Sequence, residues 1–121
     1  MKHLFYAALA LAFAGLALAA YAHTPLTSSQ PAAGSTVAPP VKEIVLEFGG
    51  DVRLTALALA DANGKQKKVA DVPTEIAKQF TLAVRDELAP GGYVATWRAV
   101  GADTHVVTGE IKFSVAAPRS H

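Results

Sequence analysis

The chain has 121 residues, no cysteine, and 11 Lys and Arg against 10 Asp and Glu. This length is that of one small domain, and the lack of cysteine excludes disulfides, thiolate metal sites and thiol chemistry. The balanced charge argues against nucleic acid and anionic membrane surfaces as partners, because both bind proteins that carry an excess of basic side chains.

The first 22 residues have the pattern of a secretory signal peptide. Met1-Lys2-His3 is a short basic start, Leu4 to Leu18 is an uncharged apolar run, and Ala20-Tyr21-Ala22 is a small-x-small cleavage pattern. The run is shorter than the roughly 20 residues that cross a bilayer, and an uncleaved anchor fits its flanks less well. We therefore predict a cleaved signal peptide at residues 1–22 and one exported domain at residues 23–121.

Alternation of apolar and polar residues predicts short β-strands along the exported domain. The prolines of residues 24–40 exclude a helix and predict an extended edge segment with turns. Asn63-Gly64 predicts a hairpin turn. Further strands are predicted at 41–48, 54–60, 65–71, 80–85, 93–100 and 106–115, with one helical turn at 74–79. Several short strands at regular spacing predict an all-β sandwich.

The strand at 93–100 gives the sharpest local expectation. Tyr93 and Trp97 share one face and are predicted to lie in the core. The pattern Leu88-x-Pro-Gly-x-Tyr93 is typical of a tyrosine corner, in which the hydroxyl bonds to backbone a few residues upstream. The alternative is an ordinary Pro-Gly turn followed by a core tyrosine.

Asp103-Thr104-His105 is the first candidate site. In an extended chain residues i and i+2 point to the same side, so the carboxylate and the imidazole are expected to converge at an exposed loop or strand end. The alternative is that Asp103 begins a turn by accepting local backbone N–H groups while His105 is solvated beside it.

His23 is the second candidate, because cleavage after Ala22 makes it the N-terminal residue. Its free amine and its ring Nδ1 can then chelate a metal together. With Asp103 and His105 they supply three nitrogens and one oxygen, which suits Cu(II), with Ni(II) and Zn(II) as competitors. This site requires the chain start to pack beside the last hairpin, which the sequence alone does not show. The alternative is that cleavage falls at His23 by chance.

Taken in order, these residues resemble the CopC family of periplasmic copper-resistance proteins. The resemblance is carried by His23 and the Pro- and Ser-rich stretch after it, Leu88-x-Pro-Gly-x-Tyr-x-x-x-Trp-Arg98, Asp103-x-His105, and Gly109-x-x-x-Phe113-x-Val115. It implies a cupredoxin-like or Ig-like Greek-key β-sandwich or barrel of about seven strands. It also implies a periplasmic location and one Cu(II) per chain, bound by His23, Asp103 and His105.

The chain departs from the family pattern at three places. The family commonly has Ser-x-Asp-Gly-His where this chain has Gly101-Ala-Asp-Thr-His105. It has Phe-Ser-Glu-Pro where this chain has Phe48-Gly-Gly-Asp51, so Asp51 is only a weak stand-in for an acidic residue near the site. Some members carry a methionine-rich Cu(I) site, which this chain cannot form because Met1 is its only methionine.

The resemblance implies copper buffering, delivery or resistance, with an inner-membrane CopD-type copper transporter as a partner and a monomeric state. No nucleophile elbow, phosphate loop or acid/base dyad is present, so we predict a binding protein and not an enzyme. Two alternatives stay open. One is a copper enzyme resembling the histidine brace of polysaccharide monooxygenases, and the other is a metal-free Ig-like interaction module.

Overall fold

The structure is a computed structural model that describes residues 26–118. His23 and the predicted signal peptide lie outside the described residues, as does His121. Within the described range the chain contains no helix that could span a membrane. It forms seven β-strands, which confirms the predicted all-β fold: β1 Leu26–Gln30, β2 Thr36–Val37, β3 Glu43–Asp61, β4 Gln66–Lys67, β5 Ile76–Ala83, β6 Gly91–Gly101 and β7 Val106–Val115.

The long strand β3 organises the sheet because other strands pair with both of its edges. One edge pairs with β5 at residues 43–47 and 52–53 and with β4 at residues 59–60. The other edge pairs with β1 at residues 45–48 and with β6 from residue 52 onward. The sheet runs β1-β3-β6-β7-β2, and all of these pairs are antiparallel except the parallel pair β2–β7. The sheet thus curls into the barrel-like sandwich expected for the fold class.

The prediction of separate strands at 41–48 and 54–60 is wrong, because β3 is continuous from Glu43 to Asp61. The pairing of β3 with β5 shifts its register between Glu47 and Val52. Gly49, Gly50 and Asp51 have no register partner on either edge, and they form an irregularity inside one continuous strand.

Two smaller predictions around β5 also need correction. The predicted helical turn at 74–79 is wrong, because β5 begins at Ile76 and pairs there with Arg53 of β3. The available strand partner overrides the local preference. The predicted strand at 65–71 is mostly irregular, since only Gln66–Lys67 and an isolated bridge at Val69 are paired.

The core is built from alternate residues of four strands. Phe48 lies between Phe80 and Trp97 and meets both rings edge to face, at centroid distances of 5.9 and 5.3 Å. The predicted inward face of β6 is confirmed, with each side chain at most 4% exposed: Tyr93, Ala95, Trp97 and Ala99. The same holds for the last strand, whose buried residues are Ile111, Phe113 and Val115.

The predicted tyrosine corner is also confirmed. The Tyr93 hydroxyl donates to the carbonyl oxygen of Ala89 at 2.6 Å, four residues upstream. Burial raises the pKa of Tyr93, and the nearby charge of Asp61 adds to the shift. This bond fixes the start of β6, the strand that leads directly to the Asp103–His105 loop.

Trp97 packs closely against Gly109 on β7. A Cβ atom at Gly109 would lie 2.6 Å from Cζ2 of Trp97, closer than real side chains approach. Only glycine therefore fits at this position while the indole keeps its place in the core.

We predict that Gly109→Ala lowers the free energy of unfolding by about 1–3 kcal/mol, because the methyl group overpacks the indole. Chemical denaturation measures this change. Gly92→Ala is the matched control on the same hairpin, since a Cβ there meets nothing closer than 4.0 Å. Equal losses for the two variants would contradict the assigned role of Gly109.

Candidate metal centre

Asp103 and His105 lie in the loop that joins β6 to β7. Val100 pairs with Val106, and the Gly101 N–H donates to the carbonyl oxygen of His105 at 3.0 Å. The Thr104 N–H donates to the carbonyl oxygen of Gly101 at 3.0 Å, and Thr104 has a φ of 67°. This is a three-residue hairpin loop, in which a turn is followed by one residue in the left-handed region.

The loop brings the carboxylate of Asp103 against the imidazole of His105. Oδ2 of Asp103 lies 2.7 Å from Nδ1 of His105, and Oδ1 accepts the backbone N–H of His105 at 3.2 Å. The expected convergence of the two side chains therefore occurs. Its cause is the turn and the left-handed Thr104, and not the extended backbone on which the expectation was based.

Both of the alternatives weighed for this motif describe part of what the structure shows. Asp103 does accept a local backbone N–H, as in an ordinary turn, and both side chains are exposed, Asp103 by 64% and His105 by 73%. The hydrogen bond from the His105 ring is nevertheless the largest cause that lowers the pKa of Asp103, followed by the bond from the His105 N–H. The carboxylate is therefore held in its charged form beside the ring.

The pair has the chemistry of metal ligands. An ionised carboxylate can only accept a hydrogen bond, so Nδ1 of His105 carries the proton between them. Metal binding displaces protons from the ligands, so an ion that replaced this proton would have Nδ1 of His105 and the carboxylate of Asp103 as neighbouring donors. Imidazole nitrogen with carboxylate oxygen suits Cu(II), Ni(II) or Zn(II). Within residues 26–118, no third His, Cys, Asp or Glu side chain completes a metal-binding group.

A shallow cleft between β3, β5 and β6 opens beside this loop. Its lining includes Asp51, Arg53, Ile76, Gly101 and Thr104. Asp51 of β3 and Thr104 of the loop therefore line the same cleft, although they are distant in sequence. Neither Asp103 nor His105 is among the residues that line it. The exposed Asp51 lines this cleft without joining the hydrogen bonds between Asp103 and His105.

Gly101, which is not among the residues predicted for the site, leaves space for the carboxylate of Asp103. A Cβ atom at Gly101 would lie 3.0 Å from Oδ1 of Asp103. A glycine two residues before a candidate carboxylate is the only signal that the sequence offered for this role.

Residues 26–116 match the family model described as the CopC domain. Copper resistance protein C of Escherichia coli is 34% identical over 110 residues, which are 84% of this chain and 87% of that protein. Copper resistance protein C of Pseudomonas syringae pv. tomato is 34% identical over 104 residues, which are 79% of this chain and 82% of that protein.

Two solved structures have the same fold as this chain. The crystal structure of CopC from Methylosinus trichosporium OB3b has a TM-score of 0.69 at 29% identity, and the match covers 82% of this chain and 99% of that one. PcoC, a methionine-rich copper resistance protein from Escherichia coli, has a TM-score of 0.61 at 35% identity. The match covers 77% of this chain and 98% of that one.

We predict that the carboxyl group of Asp103 titrates below the ordinary aspartate range in the metal-free protein. As the pH falls through this lowered pKa, the carboxylate is protonated and the bond to His105 is lost. Carboxyl ¹³C NMR measures the midpoint, and His105→Ala should raise it. Asp61 is the internal control, because its lowered pKa arises mainly from the backbone N–H of Lys65. An unchanged Asp103 midpoint in His105→Ala would contradict this cause.

Proposed function

This chain belongs to the CopC family of copper-resistance proteins, and we propose that it binds one Cu(II) ion in the periplasm and buffers or delivers that ion there. The proposed ligands are the amine and imidazole of His23, the carboxylate of Asp103 and the imidazole of His105. Residues 1–22 are the cleaved leader in this proposal. The exported domain acts by binding and exchanging the ion, and not as an enzyme.

The observation that supports this ligand set is the pairing along one edge of β3. β1 occupies this edge up to the pair Leu26–Phe48, and β6 occupies it from the pair Val52–Gly101. Only residues 49–51 of β3 separate the start of β1 from the beginning of the Asp103–His105 loop. Leu26 and Gly101 are therefore neighbours along the same edge.

His23 precedes Leu26 by three residues, and three residues of β3 (49–51) form the gap between β1 and β6. Three residues of extended chain reach about 10 Å, and three residues of a strand rise by about the same amount. A chain that continued along this edge would bring His23 beside Gly101, at the end of β6. The proposed site requires His23 to lie near the hairpin of β6 and β7, and the strand register is compatible with this requirement.

The exposure of the pair suits an ion that must be passed on. Asp103 and His105 are at the surface, so a ligand of an acceptor protein can approach the ion before either side chain dissociates from it. The amine of His23 has a reference pKa of about 7.7–8.0, so it loses its proton to a metal at little cost near neutral pH. Release would proceed by exchange of one donor at a time.

The proposal is for Cu(II) and for a single site. The solved relative PcoC is described as methionine rich, and thioether sulfur is a ligand that favours Cu(I). This chain has a single methionine, Met1, which the proposed cleavage removes. Its nitrogen and oxygen donors are those that favour the cupric ion.

The acceptor that we propose is an inner-membrane copper transporter of the CopD type, which a monomer of this chain would contact through the face around the loop. Ile76 is 61% exposed and Val106 is 51% exposed. Ile76, Arg53, Val100 and Val106 form one row of directly paired residues across four strands. Such a row, in which Arg53 is the one charged residue among apolar neighbours, is suited to a transient contact during transfer.

We predict that His105→Ala weakens Cu(II) binding at least tenfold, because an imidazole ligand is lost. Competition titration with a chelator of known affinity measures the loss. His121→Ala is the matched control, since it removes an imidazole that the proposal does not use. Equal affinity of His105→Ala and the unaltered protein would contradict the assignment.

We also predict that acetylation of the His23 amine of the exported chain weakens Cu(II) binding and removes one nitrogen donor. Acetylation turns the free amine into an amide and supplies no new amine, so the chelate at His23 is lost. Cu(II) EPR counts the nitrogen donors, and mass spectrometry of the same sample establishes the N-terminal residue. An exported chain that begins elsewhere, or an unchanged EPR spectrum, would contradict the role of His23.

A further inference from the structure

The chain contains two hairpin loops with the same backbone geometry. In the loop between β3 and β4, the Gly64 N–H donates to the carbonyl oxygen of Asp61 at 3.0 Å, and the Asp61 N–H donates to that of Lys65 at 2.9 Å. In the loop between β6 and β7, Thr104 and Gly101 make the equivalent bonds, both of 3.0 Å. The third and last residue of each loop, Gly64 or Thr104, has a positive φ, as this loop type requires.

The two loops differ in the residue at this left-handed position. Gly64 has a φ of 83°, which glycine adopts without strain, whereas Thr104 has a φ of 67°. Among the described residues, Thr104 is the one non-glycine residue with a positive φ. A β-branched residue is strained in this region. The chain therefore uses the unstrained residue in one loop and a strained residue in the loop with the candidate pair.

The side chain of Thr104 further limits the loop that contains it. Its hydroxyl Oγ1 donates to the carbonyl oxygen of Asp103 at 2.6 Å, and its branched Cβ restricts rotation of the side chain. The two residues on either side of it are Asp103 and His105, whose side chains lie 2.7 Å apart. Any backbone motion at position 104 thus changes the distance between the two proposed ligands directly.

Stability alone does not account for this choice of residue. An exposed hydrogen-bonded pair such as Asp103–His105 contributes little to the free energy of folding, and a glycine at position 104 would remove the strain. Strained residues that persist are commonly found where a functional geometry must be held. The strain at Thr104 is located between the two side chains whose spacing matters for a metal.

We propose that Thr104 is a positioning residue of the copper site, which holds the loop in the conformation where Asp103 and His105 meet. This inference rests on the proposed function, since it assigns a role at the same site. A glycine at this position would let the loop populate other conformations. The affinity for the ion would then fall in proportion to the fraction of molecules in which the pair is formed.

The test is Thr104→Gly in the exported protein with His23 as its N-terminus. We expect the thermal midpoint of the metal-free variant to rise because the strain is removed, and its Cu(II) affinity to fall by roughly two- to fivefold because the loop is looser. Backbone ¹⁵N relaxation of the metal-free protein should show faster motion at residues 102–105. A residue that only supports folding would not produce opposite changes in stability and affinity.

Gly64→Thr is the matched control in the equivalent loop. A Cβ at Gly64 meets no atom within 4 Å, so the variant introduces backbone strain without a clash. It should lower the thermal midpoint and leave Cu(II) affinity unchanged. Thr104→Ala keeps the Cβ but loses the hydroxyl, and an affinity between those of the unaltered protein and Thr104→Gly would show that both features act.

Two results would overturn the inference. One is a Thr104→Gly protein that binds Cu(II) as tightly as the unaltered protein. The other is a parallel loss of stability and affinity, which would mean that Thr104 only supports folding. If the unaltered protein binds no Cu(II), or if His105→Ala does not weaken binding, the proposed function fails as well. Tight binding that depends on His105, with no effect of Thr104→Gly, overturns only the inference.

Discussion

Pairing on both edges of β3 is the constraint on which the rest of the structure depends. Because β5 and β4 occupy one edge, β1 and β6 must follow each other along the opposite edge. The irregularity at Gly49–Asp51 lets this one strand serve both parts of the curled sheet. It also makes the start of β1 and the end of β6 neighbours, so a feature of the core determines which surface groups lie near one another.

The parts of the fold that sequence could predict are those with a local cause. The alternation on β6 and the tyrosine corner at Tyr93 are complete within a dozen consecutive residues, and both are present. The continuity of β3 could not be predicted, because Gly49-Gly50 is a turn signal unless strands pair across it from both sides. The segment at 74–79 was misjudged for the same reason, since only the distant β3 makes an extended chain favourable there.

In the candidate site, too, the local feature was predictable and the feature that depends on the folded loop was not. The sequence predicted that Asp103 and His105 would meet, since they are two residues apart, but it assumed an extended chain. The left-handed Thr104 could not be predicted, because threonine is a rare choice for that conformation. The place of Gly101 beneath the carboxylate likewise depends on how the loop closes. The role of His23 stays a prediction, since it lies outside the described residues.

Trp97 has a further consequence for how this protein can be observed. It is the only tryptophan of the chain, it is 4% exposed, and its Nε1 has no hydrogen-bond partner among the described residues. An indole in such dry surroundings fluoresces at short wavelength and shifts to longer wavelength when water reaches it. Trp97 is thus an intrinsic fluorescent probe in the core. Its emission wavelength reports opening of the domain without any added label.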